Sequence, residues 1–255
     1  MSLSVAIITH NADKQLDACL QSASFADEIL IVDSGSTDGT VEIARRHGAK
    51  VMHKEWLGFG PQKQFAVSAA SYDWVLCLDA DERISDSLRE AIVAELRAPR
   101  GAVYALSRRN RFLGRWLRHG EGYPDWCVRL FHRREARWSD DPVHERVVTA
   151  APVRRLSGDL LHESAQTLER YLEKQNRYTS LAARQLYAQG RRASIWHLAF
   201  APLARFVKFY ILRLGCLDGL PGMVHVCIGC MNSFNKYAKL MALQRGAAQR
   251  DAAPE

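Results

Sequence analysis

WVLCLDADE, residues 74–82, decides the fold: five apolar residues run straight into four that carry three carboxylates. A short continuous apolar run reads as a strand buried on both faces, as in a parallel sheet covered by helices. Acidic residues at its end mark a turn leaving the sheet. Asp79 and Asp81, one residue apart, can both reach a common space because the turn breaks the strand's alternation. Carboxylates are hard oxygen ligands suited to Mg²⁺ or Mn²⁺, and such an ion can bridge a diphosphate and stabilise it as a leaving group.

Outward from this stretch the chain alternates strand and helix. Leu3–Thr9 and Glu28–Asp33 (EILIVD) are further buried strands, and Lys50–His53 is a short one. Leu16, Cys19 and Leu20 recur at helical spacing. SGSTDGT is a turn that caps a helix over Val41–His47, stopped by Gly48. A helix over Gln62–Ser71 precedes WVLCL, and Ser85 caps another that runs to about Arg97. This order predicts a doubly wound, mostly parallel α/β sheet with functional groups beyond the carboxyl ends of its strands. Asp33 is placed there, where a carboxylate can accept the imide N–H of a uracil ring; Asp38 caps the following helix.

From Ala102 short strands (Val103–Ser107, Val128–His132, Val143–Val148, Leu160–His162) alternate with loops rich in Arg, Gly, Trp and Asp, predicting a small antiparallel extension. Leu168–Gln189 is a long helix, and the last third is apolar and helical. The predicted division is a catalytic domain over 1–165 and a helical region over 166–255.

The 255 residues, 47% hydrophobic, are enough for a sizeable core, and 35 basic against 28 acidic residues leave +7. That balance suits a polyanionic partner: nucleotide, phosphorylated glycan, anionic membrane or nucleic acid. The N-terminus reads as a strand rather than an export signal, which predicts a cytoplasmic protein with six reduced cysteines. One C-x-x-C, Cys227 and Cys230, lacks a second pair at zinc spacing.

Taken together, SVAIITHN, EILIVDSGSTDGT, GFGPQKQFAVSAASYDWVLCLDADE, YPDWCVRLFHR, DDPVHERV, LLHES and YLEKQNRY resemble glycosyltransferase family 2, which has a GT-A fold. Within it the chain is most similar to bacterial lipopolysaccharide-core β-1,4-glucosyltransferases, along nearly its whole length. Gln64 stands where that subgroup commonly has Asn. The resemblance implies that Thr9 and Asp33 frame the uracil of a UDP-sugar, Lys63 lies near the nucleotide and Asp79 near the ribose. It also implies that Asp81 and His162 hold Mg²⁺ or Mn²⁺. Inverting transfer needs a base for the acceptor hydroxyl; Glu145 aligns with the family's base, with Asp141 in reserve and His144 a rival.

Arg108, Arg109, Arg111, Arg115 and Arg118 with Phe112 and Trp116 read as one basic, aromatic loop, suited to a lipid-linked phosphorylated glycan acceptor or, in a different class of protein, to single-stranded nucleic acid. A sugar-nucleotide binding module without turnover is a third reading. Trp196–Gly215 is interrupted by Pro202, Arg205, Lys208 and Arg213. On a helical wheel its three charges fall within roughly 140°, with Phe206, Phe209, Tyr210 and Leu212 mostly outside that arc, predicting a helix lying in a membrane interface or packed on the catalytic domain. The acceptor expected from the resemblance is an inner-core lipopolysaccharide sugar, with glucose as the transferred hexose, at the cytoplasmic membrane face; other sugars, a lipid phosphate or a protein acceptor are the alternatives.

Overall fold

The structure, a computed structural model, describes residues 1–141, 145–163 and 167–251, with side chains to 246. It divides into two compact units, residues 1–109 with 125–163, and residues 110–124 with 164–255.

The first unit is built on β1 (Leu3–Thr9), β2 (Glu28–Asp33), β3 (Lys50–His53) and β4 (Trp74–Asp79), parallel in the order β3-β2-β1-β4. Helices α1 (Asp13–Ser22), α2 (Thr40–Arg46) and α3 (Phe59–Ala69) make the crossovers. Beyond β4 the sheet turns antiparallel through β8 (Asp125–His132) and β6 (Val103–Phe112), then continues to β11 (Val153–His162) and β5 (Glu82–Ile84). Helix α4 (Asp86–Arg97) follows β5, and the Ser85 hydroxyl caps it by accepting from the Leu88 N–H. The short pair β9 (Ala136–Trp138) and β10 (Val147–Thr149) stands apart from the main sheet. The doubly wound sheet is as the sequence predicts. The antiparallel part is larger than expected, because β6 and β11 are each ten residues long.

Strand alternation sorts the core into two layers. Trp74, Leu76 and Leu78 of β4 join Leu16, Leu20, Leu88 and Ile92 on the face covered by α1 and α4. Val75 and Cys77 join Ala66 and Val67 of α3 on the other. Leu76, Leu78, Leu88 and Ile92 are at most 1% exposed, each such side chain contributing about 1.5–3 kcal/mol by leaving water. Period two therefore sends Asp79, next after Val75 and Cys77 in the alternation, to the α3 face.

The second unit contains the end of β6, β7 (Arg115–Trp116) hairpinned onto it, α5 (Leu168–Ala188), α6 (Ile195–Phe206) and α7 (Gly219–Asp251). Between α6 and α7 lie a π-helical stretch, Val207–Leu212, and a 3₁₀ turn, Gly215–Asp218. The Asp218 carboxylate, 1% exposed, accepts from the backbone N–H groups of Arg118 and His119 at 2.9 and 2.8 Å. Arg205 pairs with Glu121 and donates to the Ser233 hydroxyl, and Arg213 donates to the Tyr123 carbonyl. Two of the three charges expected to form a cationic arc are thus turned into the unit.

The basic, aromatic loop is also different from its sequence reading. Arg108, Arg109 and Arg111 lie on β6, because the strand continues five residues past Ser107. Arg108 pairs with Asp125 at 2.6 Å and Arg109 with Asp159 at 3.4 Å.

Candidate active site

Four strand ends and one helix assemble the site. Thr9 and Asp33 end β1 and β2 and are register partners. The Asp33 carboxylate accepts from the Thr9 hydroxyl at 2.9 Å, the Ser36 hydroxyl at 2.5 Å, and the Gly35 and Ser36 N–H groups at 3.0 and 2.8 Å. Burial would raise its pKa, but these four donors, Ser36 foremost, hold it below the ordinary value. They also occupy about all the acceptor positions of a carboxylate, so an incoming uracil N–H would have to share an oxygen. Asn11 fastens the same edge in a left-handed conformation, φ 50°. Its N–H donates to the Ser36 hydroxyl and its side-chain oxygen accepts from the Thr37 N–H, both at 2.9 Å. Asn tolerates that backbone better than most residues. Asp38 accepts from the Thr40 N–H and hydroxyl and so shapes the turn before α2, whose N-cap is Gly39 without a side-chain cap.

Lys63 projects from α3 and is 5% exposed. Its ammonium lies 2.9 Å from Asp79 and 3.1 Å from Glu145, and 4.8 Å from the centre of the Trp138 ring. Two glycines let α3 come this close. Gly58 precedes the helix at φ 96°, ψ 159°, a region open essentially to glycine. At Gly60 a Cβ would stand 2.2 Å from the Ser139 carbonyl oxygen, so only glycine allows the approach. The Gln64 side chain accepts from the Trp138 N–H at 2.8 Å, fastening β9 to α3.

Arg129 of β8 meets Asp79 from the other side. One guanidinium nitrogen lies 2.5 Å from Asp79 and 2.8 Å from Glu82, and the guanidinium lies 5.8 Å from the Trp138 ring centre. Glu82 is fully buried, and its other oxygen accepts from the Asp79 N–H at 3.0 Å. Burial alone would raise the pKa of Asp79; Arg129 first and Lys63 second overcome it and hold the carboxyl well below the usual range. Burial would likewise lower Arg129, and Asp79 and Glu82 reverse that. Asp79 is therefore a fixed anion between two cations. Behind it, the Trp138 indole N–H donates to the Cys77 sulfur at 3.3 Å, and burial pushes that thiol up to about 11.

Asp81 faces a different partner. Antiparallel pairing sets His162 opposite Glu82, and the His162 Nε2 stands 3.2 Å from the Asp81 carboxylate. Both side chains are partly exposed, 23% and 32%. An imidazole nitrogen beside a carboxylate is a donor set that divalent first-row metals accept. Among the described residues no group of three or more His, Cys, Asp or Glu side chains converges on one point. A metal held by Asp81 and His162 would complete its shell with substrate oxygens and water, as Mg²⁺ commonly does. The residues present fit such an ion.

The structure thus brings Lys63, Asp79 and Glu145 together, Thr9 with Asp33, and Asp81 with His162. Asp141 is exposed, and its carbonyl oxygen lies against Gly60. His144 falls outside the described residues. Arg129, Glu82 and Trp138 received no role from the sequence. The available signal was an arginine embedded in an apolar strand, CVRLF, which must find a buried anion.

Residues 4–161 match the profile of glycosyl transferase family 2. The chain is 31% identical over 248 residues to the lipopolysaccharide core biosynthesis glycosyltransferase LpsC of Rhizobium meliloti, covering 94% of this chain and 92% of the relative. It is 32% identical over 254 residues to an uncharacterized glycosyltransferase of Rickettsia typhi, covering 94% and 87%. Its fold is similar to that of residues 1–349 of S. aureus TarS in complex with UDP-GlcNAc. The TM-score is 0.50 at 14% identity, over 97% of this chain and 92% of that one. The fold is of the GT-A class. The chain belongs to glycosyl transferase family 2.

Proposed function

We propose that this enzyme is an inverting hexosyltransferase that moves glucose from UDP-glucose to an inner-core lipopolysaccharide sugar, using Mg²⁺ or Mn²⁺. The observation that carries the proposal is the single Lys63 ammonium touching both Asp79, at the end of β4, and Glu145, on the opposite wall. The similarity to LpsC supports a lipopolysaccharide core acceptor. The work then belongs at the cytoplasmic membrane face, with residues 1–165 as catalytic domain and 166–255 as the helical region that meets the membrane.

In this reading the Thr9–Asp33 edge positions the uracil and Asp79 receives the ribose. Lys63 supplies a point charge for the diphosphate. Asp81 and His162 would hold the divalent ion, which would supply positive charge against the departing UDP. Glu145 takes the proton of the acceptor hydroxyl as that oxygen attacks the anomeric carbon opposite the leaving group. Diphosphate and Glu145 then compete for one ammonium, so donor binding releases the base for the acceptor.

The test is UDP release from a panel of UDP-hexoses, with Mn²⁺ or Mg²⁺ and with or without lipopolysaccharide truncated in its inner core. Acceptor-dependent release from UDP-glucose, with the β-anomer in the product, is the expected result. Release from a different donor would change the sugar, retention would remove the inverting mechanism, and no release would overturn the proposal.

A further inference from the structure

One face of the second unit is apolar where a protein in water would be polar. On α6, Trp196, Phe200 and Leu203 are 66%, 55% and 56% exposed. With Val207 they are spaced four, three and four residues apart, which puts them in one stripe along a helix. Ile211 and Leu212 extend the exposed surface at 53% and 73%. None of the 18 residues Ile195–Leu212 is buried. The Trp196 and Phe200 rings stack on each other, centres 5.7 Å apart, rather than on a core.

The polar side of this helix is on the inside. Arg205, pointing away from the stripe at about 100° per residue, makes its ion pair with Glu121 and its hydrogen bond to Ser233. A helix with its charge inside and its aromatic residues outside is built for an apolar environment on its outer face. Six apolar side chains, each 38–73% exposed, lie within one short stretch, whereas the apolar residues on a soluble monomer's surface are normally scattered singly.

Charge names the occupant. The second unit holds 16 basic against 6 acidic residues, and the first 19 against 22. The unit that exposes the apolar stripe therefore carries all of the protein's positive excess, including the exposed Arg191 and Arg192 just before α6 and Lys208 within the stretch. Apolar insertion framed by cations is the chemistry of an anionic bilayer surface. Crossing the bilayer is disfavoured, because Arg205 lies ten residues, about 15 Å, into the stretch, where a span would bring it and its partner Glu121 to mid-membrane.

We infer that the Trp196–Phe200–Leu203 face of α6, continued through Val207, Ile211 and Leu212 of the π-helical stretch, lies in the surface of an anionic bilayer and inserts from one side. The inference rests on the lipid-linked acceptor of the reading above and names the surface that would bring the enzyme to it. Of the apolar flank expected from the helical wheel only Leu212 is in this surface; the contact rests mainly on Trp196, Phe200 and Leu203, and charge adds attraction.

The experiment is flotation of the full chain with vesicles of phosphatidylglycerol and phosphatidylethanolamine, beside phosphatidylcholine alone. The variants are W196S/F200S/L203S, on the exposed stripe, and Lys208→Gln. Wild type should float with the anionic vesicles. The triple variant should lose binding at least tenfold while keeping its far-UV circular dichroism and its UDP release with a soluble acceptor fragment. Lys208→Gln should weaken binding severalfold, and 0.5 M salt should weaken it without abolishing it. Undiminished binding by the triple variant, complete loss in salt, or no binding by wild type would overturn the inference. So would a wild-type dimer that the triple variant dissolves without either protein floating, since the face would then join two copies. Flotation reads the surface without any sugar transfer. Vesicle binding without turnover rejects the glucosyltransferase reading alone, and turnover without vesicle binding rejects the surface alone.

Discussion

Glu145 and Asp79 share one ammonium: the Lys63 nitrogen stands 3.1 Å from the first and 2.9 Å from the second. The two carboxylates are 66 residues apart in sequence and are held at one point by a side chain from a third element. Glu145→Gln keeps the size and hydrogen bonding of the side chain but cannot take a proton. Its kcat is expected to fall by about 10²–10⁴, while calorimetry finds UDP binding changed by less than tenfold. Asp141→Asn is expected to stay within a few-fold of wild type in kcat. The opposite order would transfer the base to Asp141.

Asp81 and His162 form a two-donor pair at 3.2 Å. Asp81→Ala is expected to abolish turnover with the fold intact, and EDTA to inhibit the wild type reversibly. His162→Ala should shift the Mn²⁺ concentration for half-maximal rate upward by about 10–100-fold, the range for groups that tune a metal site. An unchanged Mn²⁺ titration would leave His162 as a hydrogen-bond partner of Asp81 alone.

Arg129 neutralises a carboxylate with no exposure at all, Glu82, as well as Asp79. Removing one member of a buried ion group leaves the others without compensation, typically at about 3–5 kcal/mol. Arg129→Met should lower the unfolding free energy by about that much in urea titrations. The double variant with Glu82→Gln should recover part of it. A loss below about 1 kcal/mol would mean that water replaces the guanidinium.

Glu95 gives a pH signature away from the site. It accepts from the Arg100 guanidinium at 2.6 Å, the Arg100 N–H at 2.7 Å and the Tyr104 hydroxyl at 2.8 Å. Hydrogen bonds from Arg100 first, against some opposing burial, lower its pKa to about 2. A carboxyl depressed in the folded state stabilises above its unfolded pKa, near about 4.3. That stability is lost as pH falls toward about 2. The urea midpoints of wild type and Glu95→Gln should therefore differ by a constant amount above pH ~5 and converge as the pH drops through ~4 to ~2. A difference independent of pH would assign the effect to packing.

Leu3–Thr9, Glu28–Asp33 and Trp74–Leu78 were readable because burial on both faces leaves nearly unbroken apolar runs, while Lys50–His53, a partly exposed strand at the sheet edge, was read as a short strand between two helices; all four fall within one residue of those observed. Ser85 was legible as a cap because its hydroxyl acts within its own turn. Three-residue β5 and β9 were not legible, since they form only by pairing with distant strands. Val143–Val148 lies partly outside the described residues, and β10 occupies Val147–Thr149. Asp79, Asp81 and Glu82 read as one acidic turn, yet they go to three environments: two cations, an imidazole and a buried guanidinium. Strict alternation would put Asp79 and Asp81 on one face and Glu82 on the other, but the turn at Ala80–Asp81 separates the first two, and Arg129 joins Asp79 with Glu82; the partners come from α3, β8 and β11, which local sequence does not place. The wheel assumed one continuous α-helix, whereas α6 ends at Phe206, Lys208 lies in the π-helical stretch and Arg213 follows it; only packing decides which side of a helix is inside.

Cys77 sits one turn of the pleat before Asp79, 3% exposed, beneath the Trp138 indole and with its pKa near 11. A thiol so placed is almost entirely protonated at neutral pH and shielded from reagents, so it is chemically silent while β4 and β9 stay closed over it. Cys216 and Cys227 are exposed and would be alkylated first, providing an internal clock. The slow modification of Cys77 then counts how often the floor of the site opens. A donor that closes the site should lengthen that interval, which makes one native thiol a stopwatch for nucleotide binding in the unlabelled enzyme.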